Sequence, residues 1–197
     1  DDWLQTGNPW EIPRPDLKVN VNFGGRVEST REHGRLRFRW VETQPVVGIP
    51  YDIPIAGYQC NTVNTLRLWS ARAHSDFSLE DFNRGDYVRA VEHKVHAENL
   101  TKVLYPNDKV YAGQELRLRQ QYFFVACSLS DILRRFKKDW RGWEDLPELL
   151  AIQLNDTHPA LAVPELMRLL VDHEGLEWDY AWKLIVQTFG YTNHTLL

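Results

Sequence analysis

The chain has 197 residues, 43% hydrophobic and 25% charged, an ordinary globular composition with enough apolar content for a sizeable core. A formal net charge of −4 offers no basic face, so nucleic acid is not an expected partner. No apolar run approaches the roughly 18 residues that span a bilayer, and no signal-peptide pattern opens the chain, so no membrane association is expected.

Residues 1–15, rich in Pro, Trp and Gly, read as an irregular opening segment. Val19, Val21, Phe23 and Val27 alternate with polar or small residues, the period of a half-buried strand. His33-Gly34 reads as a turn, and Leu36, Phe38 and Trp40 alternate again, so an antiparallel hairpin is expected. Val46 to Ile55 is extended but carries Pro50 and Pro54, which predicts an edge strand or a loop. Thr65 to Ala71 reads as a further strand. Gly85-Asp86 offers an N-cap for a helix to about Leu104, with Tyr87, Val88, Val91 and Val95 on its apolar face. Tyr105-Pro106-Asn107-Asp108 is turn chemistry. A longer helix is expected from about Gln114 to Lys137, with Arg134, Arg135, Lys137 and Lys138 complementing its dipole. Leu149 to Leu154 reads as a short strand, Pro159 or Pro164 opens a helix, and Trp178 to Thr188 is helical before a last strand through Phe189 and Tyr191.

Two lone cysteines, Cys60 and Cys127, make no disulfide framework and fit a reducing, cytoplasmic setting. Three Asn-x-Thr sequons, at Asn99, Asn155 and Asn193, read as coincidence, since two lie inside polar motifs. The chain begins Asp1-Asp2 without Met and stops at Leu197 just after such a motif, so it is expected to be a piece of a larger protein.

Those two motifs are the main functional signal. Asn155-Asp156-Thr157-His158-Pro159 follows an apolar run, and so does Tyr191-Thr192-Asn193-His194-Thr195. In open α/β sheets, ligands bind at the carboxyl ends of strands. Asp, Asn, His and Thr are side chains that satisfy sugar hydroxyls, which both donate and accept. The same residues permit three other readings: a metal site from Asp156, His158 and His194, a general acid–base pair, or a hydrogen-bonded structural cluster. Gly24-Gly25 does not match a phosphate-binding loop, because no helix follows.

The ordered series Asp1-Asp2-Trp3-Leu4, Gly7-Asn8-Pro9-Trp10-Glu11, Pro50-Tyr51-Asp52 and Asn64 to Trp69 resembles an internal stretch of the α-glucan (glycogen, maltodextrin or starch) phosphorylases. The series continues with Val103 to Asp108, Asp131 to Phe136, Gln153 to Pro159, Pro164-Glu165-Leu166 and Tyr191 to Thr195. The resemblance implies an α/β fold: the incomplete N-terminal Rossmann-like half of a two-domain, GT-B-like glycosyltransferase, with an antiparallel β excursion and long helices. It implies one partial domain over residues 1–197, β-rich over 1–75 and helix-rich α/β over 76–197. The implied activity is phosphorolysis of terminal α-1,4-linked glucose to glucose 1-phosphate. Pyridoxal 5′-phosphate is the implied cofactor, attached outside this segment, and the implied whole enzyme is a homodimer. By the same resemblance His194 is the candidate catalytic residue, the histidine that orients the sugar 6-hydroxyl. Asp156, His158, Thr195, Asn107 and Asp108 are candidate substrate-binding residues, the last two in a loop that gates the cleft. The helix from Asp86 matches one that reaches a dimer partner, and Arg134-Arg135 an effector-binding pair. Lys109, Val110 and the short segment from Lys138 to Pro147 depart from animal forms and suggest a bacterial-type enzyme. The alternative is a non-catalytic carbohydrate-binding or scaffold module. The isolated segment is expected to be inactive and poorly stable, with the run Tyr122–Cys127 and the strand Leu149–Leu154 uncovered.

Overall fold

A computed structural model describes residues 8–32, 34–75, 77–139 and 142–196. Backbone contacts divide them into two compact units, one within Asp1–Val21 and Pro45–Leu104, the other within Asn22–Gln44 and Tyr105–Leu197.

The first unit is built on a four-stranded sheet of β1 (Ile12–Pro13), β2 (Val19–Phe23, whose last residues fall to the other unit), β5 (Gln44–Ala56) and β6 (Val63–Ala73). β5 is its central strand, pairing with β6 from Val46↔Ala73 to Ala56↔Val63 and with β1 and β2 on its other side. The expected edge strand or loop is thus corrected. A strand residue directs its N–H and C=O to the same side, and the Pro50 carbonyl accepts from the Arg14 N–H at 2.8 Å. Pro50 and Pro54 are of one parity, so both missing N–H groups face the side where β1 covers only Tyr51 and Asp52. The β6 ladder loses nothing. Gly48, Pro50, Trp69 and Ala71 share the buried face of this ribbon, and cross-strand partners Asp52 and Arg67 join it through a two-pronged ion pair, both contacts 2.7 Å.

Two helices complete this unit: α1 (Leu79–Asn83), N-capped by Ser78, and α2 (Arg89–Lys102), which packs on β6. The buried stripe of α2 is Ala90, Ala97 and Leu100, whereas Val91 and Val95 are exposed and Tyr87 and Val88 precede the helix. That reverses the expected face. Two alanines let the helix axis approach the sheet closely, where the Ala71 N–H reaches the Thr101 hydroxyl at 3.0 Å.

The second unit opens with a hairpin of β3 (Arg26–Glu32) and β4 (Arg35–Val41), so the single expected strand from Val19 to Val27 is in fact two. Gly25 makes the break, at φ +73°, where an added Cβ would stand 2.3 Å from the Val41 carbonyl oxygen. Gly34 turns the hairpin at φ +80°, and His33, the other expected turn residue, lies outside the described residues. The long helix α3 (Tyr111–Phe136) presents Val125, Leu129, Leu133 and Phe136 to the core. Phe123, Val125, Ala126 and Cys127 are buried, which corrects the expectation that this run is uncovered. Arg134 and Arg135 both fold back onto the buried Asp131, at 2.6 and 3.2 Å.

Leu149 ends a short helix, α4 (Leu146–Leu149), and the strand β7 runs Ile152–Asn155, later than expected. From β7 the chain turns into α5 (Ala162–Arg168), continues through a π-helical turn at Leu169–His173, and forms α6 (Trp178–Thr188). It returns as β8 (Phe189–Thr192), parallel to β7 in the register Ile152↔Phe189 to Asn155↔Thr192. Parallel strands need such a helical crossover. Leu146, Leu166, Leu170, Leu184 and Ile185 form the core of this layer with α3.

Candidate functional site

Parallel pairing brings the carboxyl ends of β7 and β8 side by side, and the two polar motifs begin there. Asp156 is the hinge between them. Its N–H donates to the Thr192 carbonyl at 2.7 Å, one rung beyond the ladder, and its backbone then turns to φ +61°. That left-handed conformation is uncommon outside glycine, though Asp and Asn enter it more readily than most residues. It redirects the chain so that the Asp156 carboxylate caps the Thr157 N–H at 2.6 Å. The Asp156 side chain is buried and its carboxyl lies below the usual carboxylate range. The Thr157 N–H is the main cause; His158 and the His194 N–H add to it, and desolvation opposes it.

On the β8 side, the Asn193 amide Oδ1 accepts from both the N–H and the hydroxyl of Thr195, at 3.0 and 3.1 Å, and its Nδ2 donates to the Thr195 carbonyl at 2.9 Å. This small ring of bonds leaves the His194 side chain exposed at the strand end. One layer back, the Gln153 amide donates to the Thr192 hydroxyl at 2.7 Å, fixing the strand ends to each other.

His158 is half-buried, and the Tyr105 ring stands edge-on to it, centroids 5.5 Å apart. The segment after Tyr105 is the loop carrying Asn107 and Asp108, so the loop and the first motif meet through that aromatic pair. The Asn107 Oδ1 accepts from the Lys109 N–H at 2.9 Å, the Gln114 amide donates to the Asp108 carbonyl at 3.1 Å, and Arg117 pairs with the Asp108 carboxylate. Gly113 permits this seat: an added Cβ would fall 1.8 Å from the Asn107 carbonyl oxygen.

The structure therefore gathers Asp156, His158, His194 and Thr195 at adjoining strand ends and sets the Asn107–Asp108 loop beside them. Tyr105 and Arg117 belong to the same neighbourhood but were not among the candidate residues: Tyr105 figured as turn chemistry and in the family-like series, and Arg117 carried no signal of its own inside the long helix. Among the described residues no group of three or more His, Cys, Asp or Glu is arranged to hold a metal ion, and no helix is long and apolar enough to cross a membrane.

In open α/β sheets ligands bind at the carboxyl ends of parallel strands, which makes this polar strand end the candidate site. The carbohydrate phosphorylase family model matches residues 1–197, and the chain belongs to that family. It is 54% identical over its whole length to the muscle form of glycogen phosphorylase from Ovis aries and to the liver form from Homo sapiens. It is 55% identical to the brain form from Rattus norvegicus. In each case it spans about a quarter of the relative's length, 24%.

Proposed function

We propose that the chain is the part of an α-1,4-glucan phosphorylase that holds the terminal glucosyl ring during phosphorolysis to glucose 1-phosphate. The observation that carries this reading is the junction at Asp156 and Thr192, which assembles both polar motifs at one strand end. The homologous relatives bear the name glycogen phosphorylase. In the proposed reaction a phosphate oxygen bonds to the sugar C1, the glycosidic C–O bond breaks, and the departing 4-oxygen of the shortened glucan takes the proton that the inorganic hydrogen phosphate brings. The residues here orient the ring and exclude water. His194 binds the 6-hydroxyl, Thr195 stands beside it, and Asp156 and His158 line the pocket. Asn107 and Asp108 close it from the loop. Orientation of this kind accounts for several kcal/mol of a barrier.

Pyridoxal 5′-phosphate is the cofactor of this reading. The lysines here do not suit its aldehyde, since only Lys94 is even half-buried and the others are exposed. The cofactor is then held outside these residues, in a second half of a GT-B-like pair of Rossmann-like domains, and no step assigned to this chain runs through it. A homodimer and a cytoplasmic location belong to the same reading. The short segment from Lys138 to Pro147, with Lys109 and Val110, supports weak effector control.

The test is release of glucose 1-phosphate from maltoheptaose and inorganic phosphate. The full-length protein loaded with cofactor is expected to be active, and the 197-residue chain alone inactive. A full-length protein that binds glucan yet releases none contradicts the reading and favours a carbohydrate-binding module.

A further inference from the structure

We propose that Arg117, in the second turn of α3, is a positioning residue that latches the Tyr105–Val110 loop so that the Tyr105 ring stands against His158. The functional part of this rests on the sugar-site reading above. The geometry runs through one guanidinium. Arg117 pairs through Nη1 with the Asp108 carboxylate, and its Cζ lies 5.5 Å from the centroid of the Tyr105 ring. A single side chain thus grips the loop at both ends of Tyr105–Asp108. Tyr105 in turn meets the His158 ring edge-on at 5.5 Å.

The loop needs such a grip. Tyr105 sits at φ +55°, a conformation a bulky residue adopts only when its surroundings impose it. Other ties among the described residues are local: Asn107 bonds the Lys109 N–H, Gln114 holds the Asp108 carbonyl, and the Val110 carbonyl accepts from the Gly113 and Gln114 N–H groups. An open surface ion pair would contribute little. Arg117 differs less by burial, its side chain being 28% exposed against 53% for Asp108, than because its guanidinium engages a ring and a carboxylate together. A planar, delocalised cation can do both at once, whereas an ammonium is a point charge on a flexible stem. No contact of Arg117 with substrate is needed; it acts through Tyr105 and Asp108.

The experiment uses the full-length enzyme with Arg117→Ala, Arg117→Lys, Tyr105→Ala, the Arg117→Ala/Tyr105→Ala double variant and His158→Ala. Hydrogen exchange over residues 105–113, thermal midpoints, and kcat and KM for maltoheptaose are read for each. Arg117→Ala is expected to raise exchange over 105–113 at least fivefold with little change in thermal midpoint, and to lower kcat/KM about tenfold. Arg117→Lys should recover part of that loss, and the double variant should be no worse than the worse single one, as residues acting in one latch require. Unchanged exchange in Arg117→Ala overturns the latch whatever the kinetics. Additive losses in the double variant overturn it as well. Raised exchange with unimpaired turnover in both Arg117→Ala and His158→Ala leaves the loop contact standing but overturns the sugar-site reading and the functional part of the latch with it.

Discussion

Asp156 holds a left-handed backbone and a buried carboxylate, and each feature explains the other. The turn at φ +61° aims the carboxylate back at the Thr157 N–H, which lowers its pKa, and the charged form favours the turn. A group whose folded pKa is depressed stabilises the fold above its unfolded pKa, near 3.9, and that contribution is lost as pH falls through the folded value. Asp156→Asn keeps the shape and the αL tolerance and removes the charge. The variant is expected to have a lower thermal midpoint than the parent at pH 7, with the gap narrowing as pH drops below about 4. Thermal scans at several pH values check this; a gap that widens on acidification would contradict it. The same junction shows what composition could disclose. The polar motifs after apolar runs were legible because strand ends are punctuated by such residues. That Asp156 would bond the Thr192 carbonyl was not, because a contact between residues so distant in sequence depends on the crossover length.

At the level of elements, reading succeeded where a residue's environment is set by its own neighbours. α6 and β8 were expected at Trp178–Thr188 and through Phe189 and Tyr191, and they form there. It failed where the decisive fact is relative geometry. Pro50 and Pro54 argued against a central strand, yet sequence cannot say which side of a strand their missing N–H groups face. On α2, valines outrank alanines on any hydrophobicity scale, but Ala90 and Ala97 won the buried face through close approach to β6. Arg117 was invisible for a similar reason: its partners lie on a loop whose seat depends on Gly113. The helices between β7 and β8 carry the core, with Leu170 fully buried among Leu146, Leu166 and Ile185. Leu170→Ala should therefore cost about 2–5 kcal/mol. Equilibrium urea unfolding measures it, as a shift of the midpoint at constant slope. A loss below 1 kcal/mol would mean that the site collapses or is not packed as described.

The whole molecule divides its chain unevenly. Both contact units draw on separated stretches of sequence, the first on β1, most of β2, β5, β6, α1 and α2, the second on the hairpin β3–β4 and everything from Tyr105. The division into a β-rich stretch and a helix-rich stretch describes composition, whereas the contacts interleave the two. Exposed apolar side chains gather on one face of β5–β6, where Ile55, Leu66 and Leu68 stand, rather than at Tyr122–Cys127. The proposed function belongs to this scale: the chain spans 24% of its relatives' length, and the role proposed for it is orientation, in a reaction that other parts would complete.

That claim is tested most directly by steady-state kinetics of His194→Ala in the full-length enzyme, with maltoheptaose and phosphate as substrates. A lost orienting contact should lower kcat by roughly 10², about 2.7 kcal/mol in barrier, and lower kcat/KM with it. On the proposed reading the KM for glucan should change little, because subsites away from the reacting ring would hold the chain. Asp156→Asn should lower kcat less. Unchanged kcat with raised KM for His194→Ala would contradict the account and make this strand end a passive binding surface.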